Sequence, residues 1–193
     1  MDAALANAPQ AEARLESQGL VHDRRAVATG EFVIVGPEAR AGSEELAGLA
    51  AGHDGAAALQ RLREIALAAP GAIRFLSAGD GSGTHAAEQA LWRLARMAPL
   101  PPWYLSADPA RGLIAQAREH SAYALVERGA WLRHRGAPLA LWVEGDPRLV
   151  EAVHVMRAFR VNHPAARMFV AWITGPKGRR VVAVQRGYRV AQA

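Results

Sequence analysis

Two hydroxyl residues, Ser82 and Thr84, alternate with three glycines, Gly79, Gly81 and Gly83, and the carboxylate of Asp80 and the imidazole of His85 sit at the same spot. A short, largely apolar run, Ile73 to Leu76, leads into this stretch. Residues 86–97 follow it, with Leu91, Trp92, Leu94 and Ala95 at helical spacing ahead of Pro99. Strand, glycine-rich turn and helix start, in that order, leave backbone N–H groups free at the positive end of a helix, which suits an anion. Glycine permits positive φ and close approach of a ligand. The hydroxyls add donors. The same residues also read as a plain N-cap, Ser82 or Thr84, on a glycine turn, and local pattern leaves both readings open.

Named motifs do not fit. A phosphate-binding P-loop needs Gly-Lys-Ser/Thr, and no lysine is here. The dinucleotide fingerprint needs glycine or alanine where Thr84 stands. The nucleophile elbow needs glycine two places on either side of the serine, where Asp80 and Thr84 stand. Asp80, Ser82 and His85 lie too close in sequence to aim at one reacting atom as a triad does. Seven histidines, His22, His53, His85, His120, His134, His154 and His163, are scattered without a close pair, so neither a metal site nor a cofactor is expected. The tryptophans are not interleaved with basic residues, and no nucleic-acid partner is expected.

The elements that would position the loop alternate. Residues 3–6 read as a short strand and 10–18 as a helix. Residues 21–29 read as polar and irregular, and 31–37 as a strand buried on both faces, because its β-branched run is continuous. Helices are expected over 43–51, capped by Ser43, and over 56–69. Residues 99–104 read as a stiff extended connection. Asp108-Pro109 reads as the cap and first turn of a helix reaching Glu119. Residues 121–126 read as a strand, 127–135 as a helix and 139–143 as a buried strand. Residues 151–161 are ambiguous between strand and helix. Residues 164–173 and 177–185 read as helices. Strands alternating with helices argue for α/β sheets with crossover connections.

A length of 193 residues with 51 % hydrophobic content suits one large domain or two small lobes. The net charge is +5, arginine supplies every positive side chain except Lys177, and this balance names no partner by itself. There is no cysteine, which excludes disulfide and thiolate chemistry. The first residues carry no basic flank and no long apolar region, so a chain starting here would stay in the cytosol.

Taken together, the motifs resemble a family. Glu31-Phe32-Val33-Ile34-Val35-Gly36-Pro37 comes first, then the loop Gly79 to His85 with Glu88 and Leu91-Trp92. Trp103-Tyr104-Leu105, Ala122 to Leu125 and Arg128 to Leu132 follow. Val143-Glu144-Gly145-Asp146-Pro147-Arg148-Leu149 and the tail from His163-Pro164 through Trp172 to Gly178 complete the set. In this order they resemble the periplasmic solute-binding proteins of ABC transporters, in the branch that binds tungstate, molybdate and related oxyanions.

The resemblance implies an α/β, two-lobed, type II periplasmic-binding-protein-like fold. Residues 37–150 would form one lobe, and residues 1–36 and 151–193 an incomplete other lobe. Phe32 to Val35 would cross between lobes, and the chain would return near residues 153–161. A tetrahedral oxyanion would sit between them, bound by Ser82, Gly83 and Thr84, with Gly112 adding an N–H. Such a dianion needs converging donors and no nearby carboxylate, so Asp80 reads as a loop-fixing acceptor.

The partners implied are the oxyanion and an ABC transporter permease, and the implied location is the periplasm. Relative to the family, a first strand, a Thr/Ser-rich loop and a helix would precede Ala3, and an arginine is replaced by Ala78. Weak or no oxyanion binding is therefore expected of these 193 residues alone. An incomplete lobe is expected to expose apolar surface and to self-associate. The alternative reading is a cytosolic ligand-sensing or degenerate domain of the same fold with no transport role. An enzyme is not expected.

Overall fold

The computed structural model describes residues 2–38, 52–136, 138–160 and 163–192. The helix expected over 43–51 and its cap Ser43 lie outside the described residues. The chain divides into two compact units. One comprises Met1–Glu31 and Val150–Ala193, the other Phe32–Leu149.

The middle unit is built on the β-branched run read from the sequence. Phe32 to Val35 form the second half of a long strand, β2 (Val21–Pro37). They pair antiparallel with β5 (Ala124–Glu127), and Ile34 to Pro37 pair with β6 (Leu139–Val143). Alternation sends Phe32 and Ile34 to one face and Val33 and Val35 to the other, and all four are buried. Phe32 and Ile34 meet a core formed by α2 (Gly55–Ala68) and α3 (Gly83–Leu94), with Leu59, Leu62, Leu91 and Trp92. Val33 and Val35 meet α4 (Leu113–Glu119) and α5 (Arg128–His134), with Ile114, Ala117 and Trp131. Helices on both sides of one sheet explain why the strand carries no polar alternation.

β3 (Phe75–Ser77) pairs parallel with β4 (Tyr104–Ser106). Leu76 N–H also donates to Tyr123 O at 2.7 Å, beside β5. Ser77 therefore ends in the middle of this arrangement, where the glycine loop begins.

The outer unit holds β1 (Ala3–Ala6), α1 (Pro9–Ser17), the first half of β2, and β7 (Val150–Ala158). It also holds α6 (Pro164–Thr174), α7 (Pro176–Ala183) and β8 (Arg189–Val190). β1 and β2 both pair antiparallel with β7, and β8 pairs with β2.

Three sequence expectations change. Residues 21–29 are strand, not irregular chain. Register shifts between His22 and Arg25 and between Ala26 and Ala28 break the apolar alternation, and Asp23 has φ +56° within the first. The ambiguous stretch after Glu151 is strand β7. The helix expected from Asp108 begins instead at Leu113 with Gly112 as its N-cap. Asp108 closes a turn, accepting from Ala110 N–H at 2.9 Å, and the buried Gln116 side chain ties that turn down through the backbone of Asp108 and Arg111.

Candidate anion-binding site

The loop between β3 and α3 is fixed by its own side chains. Gly79 and Gly81 have φ of +63° and +74°, which L side chains rarely adopt. Gly79 N–H donates to Ser77 Oγ at 3.2 Å, Gly81 N–H to His85 Nδ1 at 3.0 Å, and Ser82 N–H to Asp80 Oδ1 at 2.9 Å. Burial pushes the Asp80 carboxyl up, but hydrogen bonds from the Ser82 hydroxyl and amide outweigh it and hold it below the usual aspartate range. Asp80 thus serves the loop as an acceptor.

Ser82 is the N-cap of α3. Its Oγ accepts from His85 N–H at 3.3 Å, and its carbonyl accepts from Ala86 N–H at 2.9 Å. The capping role is real, and it does not use up the helix start. Among the described residues, the amides of Gly83 and Thr84 have no protein acceptor.

Thr84 differs from the sequence expectation. Its hydroxyl donates to Glu127 Oε1 at 2.7 Å, so its proton is committed to a carboxylate and only its amide is left for a ligand. Ser82 keeps more freedom, because a hydroxyl can rotate from Asp80 towards another acceptor.

Beneath the loop lies Glu88, 1 % exposed. Its Oε2 accepts from the Ser77 hydroxyl at 2.7 Å. Its Oε1 accepts from the Tyr104 hydroxyl at 2.7 Å and from Trp92 Nε1 at 3.1 Å. Burial above all pushes the Tyr104 phenol up to about 12. One carboxylate on α3 therefore pins the end of β3, the start of β4 and its own helix.

The loop opens onto a cavity of ≈ 390 Å³ within the middle unit. Ser82, Thr84 and Gly112 line it, while Gly83 is buried and does not. Gly112 caps α4 without a side chain, and a Cβ there would meet open space.

Sequence reasoning missed two other lining residues, Glu127 and Arg118, because they arrive from β5 and α4. Arg118 donates from one terminal nitrogen to His134 O at 2.8 Å, and its buried Nε has no partner among the described residues. Arg111, on the same wall, is paired with Glu119 at 2.6 Å. Among the described residues no group of three or more His, Cys, Asp or Glu side chains could hold a metal ion. No helix among them is long and apolar enough to cross a membrane.

Comparison with known proteins finds no protein-family model that matches the chain. It does find relatives over nearly all of its length. A putative ABC transporter anion-binding protein of Haloferax volcanii is 28 % identical over 194 residues, covering 94 % of this chain and 54 % of its own length. The tungstate-binding protein TupA of Peptoclostridium acidaminophilum is 28 % identical over 190 residues, covering 94 % and 63 % respectively. The chain thus spans little more than half the length of these curated relatives.

Among solved structures, the tungstate ABC transporter structure from Geobacter sulfurreducens superposes with a TM-score of 0.75 at 28 % identity. That match covers 95 % of this chain and 76 % of the other. The architecture is the mixed α/β fold of periplasmic-binding-protein-like tungstate and molybdate binders.

Proposed function

We propose that the chain binds a small tetrahedral oxyanion of the tungstate and molybdate class on behalf of an ABC importer. The ligands are the Ser82 hydroxyl, the amides of Gly83 and Thr84, and the N–H of Gly112. The observation that carries this reading is the pair of unaccepted amides at the start of a twelve-residue helix whose N-cap, Ser82, and second residue, Thr84, border a cavity. Aligned peptide dipoles add partial positive charge there, and a dianion is the group that gains most from it. Arg118 supplies a formal positive charge on the same cavity, which the carboxylates of Asp80 and Glu127 also line.

Other features are in keeping with binding rather than catalysis. Ser82 Oγ faces the backbone of His85, and His85 Nδ1 accepts from Gly81, so the imidazole is not poised to take the hydroxyl proton. One relative is named an ABC transporter anion-binding protein and another a tungstate-binding protein, which favours a permease partner over a cytosolic sensing role.

Calorimetric titration with tungstate tests the reading. The account expects weak but saturable binding. Ser82→Ala should weaken it about tenfold, roughly 1.5 kcal/mol, the low end for a hydrogen bond to a charged group, because Asp80 competes for the hydroxyl. An unchanged affinity would remove Ser82 from the site. No binding of tungstate, molybdate or sulfate, by these residues and also by a chain extended to the length of the relatives, would overturn the reading.

A further inference from the structure

We propose that the outer surface of α6 and α7 docks on an anionic lipid surface. The charge of this protein is unevenly placed. Residues 152–193 contain eight Lys and Arg and no Asp or Glu, the last carboxylate being Glu151. The first 151 residues therefore hold 23 − 8 = 15 basic and 18 acidic side chains. A net +8 tail follows a net −3 body, an asymmetry that points to a polyanionic partner.

Arg157 lies in β7 and pairs with Asp23, but five of the other cations lie on or just after two helices that carry exposed apolar groups. Ala166, Val170 and Ile173 of α6 and Val182 of α7 are buried, and three of them pack with Val27 and Val155 in the core of the outer unit. The opposite side of α6 carries Met168, 69 % exposed, and Trp172, 42 % exposed, one helical turn apart. Phe169 stacks on Trp172 with ring centroids 6.0 Å apart. Val184, 75 % exposed, follows α7.

Arg167, Lys177, Arg179, Arg180 and Arg186 are exposed on the same two helices and just beyond, and none has an ion-pair partner among the described residues. The two helices form one piece. Gly178 lies so close to α6 that a Cβ on it would sit 2.3 Å from Trp172 O.

Exposed tryptophan, phenylalanine and methionine among unpaired cations fit the lipid headgroup boundary, where apolar groups insert and cations meet phosphates. A second copy of this chain fits poorly, because two such faces would oppose cation to cation with no carboxylate between them. Nucleic acid would use the cations and leave Met168 and Val184 in water.

The test is co-sedimentation of the whole chain with vesicles of phosphatidylcholine alone or mixed with phosphatidylglycerol. The proposal expects binding only to the mixed vesicles, weakened by salt. It also expects a blue shift of fluorescence that is lost in Trp172→Phe. Neutralising Arg179 and Arg180 to Gln should weaken binding about 25-fold, at roughly fivefold per cation. Both side chains are exposed, and an unchanged thermal melt checks that the variant folds.

Equal binding to neutral vesicles, or none to either kind, overturns the proposal. So does self-association in sedimentation velocity without vesicle binding, or tighter binding to duplex DNA than to the mixed vesicles.

Discussion

At the residue scale, Ser82 does two jobs that are usually treated as rivals. It caps α3 through a lone pair on Oγ and leaves the amides of Gly83 and Thr84 open. The chemistry of this spot was legible in the sequence because hydroxyls, glycines and helix start are contiguous. Thr84, Glu127 and Arg118 were not legible as a group. Their proximity depends on β5 and α4 folding against the loop from more than thirty residues away. The Thr84 contact yields a separable prediction. Thr84→Val removes the hydrogen bond to Glu127 and should lower stability by about 1 kcal/mol, while tungstate affinity changes little because the amide remains. Urea denaturation and a binding titration on the same variant measure both effects. A large loss of affinity with intact stability would give the Thr84 hydroxyl back to the ligand.

At the scale of elements, the loop is only as rigid as what lies under it. Glu88 joins Ser77, Tyr104 and Trp92 across β3, β4 and α3. Glu88→Ala would leave three donors, two of them buried, without this acceptor and should cost about 3 kcal/mol or more in urea denaturation. A loss under 1 kcal/mol would mean that the network does not hold the loop.

Elements were legible where one signal dominated. The continuous run from Phe32 to Val35 announced a strand buried on both faces, and the apolar spacing of residues 56–69 announced a helix. Reading failed where local chemistry pointed elsewhere. Asp108-Pro109 has the composition of a helix start, yet it closes a turn held by Gln116, five residues before α4 begins. The first half of β2 hid because its bulges spoil the two-residue period.

At the scale of the molecule, the middle unit closes through a buried carboxylate far from the loop. Asp146, 2 % exposed, accepts from Gly55 N–H at 2.8 Å and from the Arg148 amide and side chain, and Arg148 also reaches Asp54, the N-cap of α2. Burial pushes the Asp146 carboxyl up, and the hydrogen bonds from Arg148 and Gly55 more than offset it, leaving it below the ordinary value of 3.8. Asp54 is lowered too, by the Ala57 amide and then by Arg148. A carboxylate whose folded pKa lies below its unfolded one stabilises the fold fully above the ordinary value. That stabilisation fades as pH falls through the lowered one. Thermal stability should therefore drop as pH is lowered below about 3.8, and Asp146→Asn should be less stable at neutral pH with a shallower acid slope. An unchanged slope in Asp146→Asn would place the acid sensitivity elsewhere.

The most direct test of the oxyanion reading follows individual backbone amides by nuclear magnetic resonance as tungstate is added. The account predicts that the Gly83 and Thr84 resonances move first and furthest, with Gly112 following, and that chloride at matched ionic strength leaves them in place. Shifts spread evenly over the arginine-rich surface, with Gly83 and Thr84 unmoved, would contradict it.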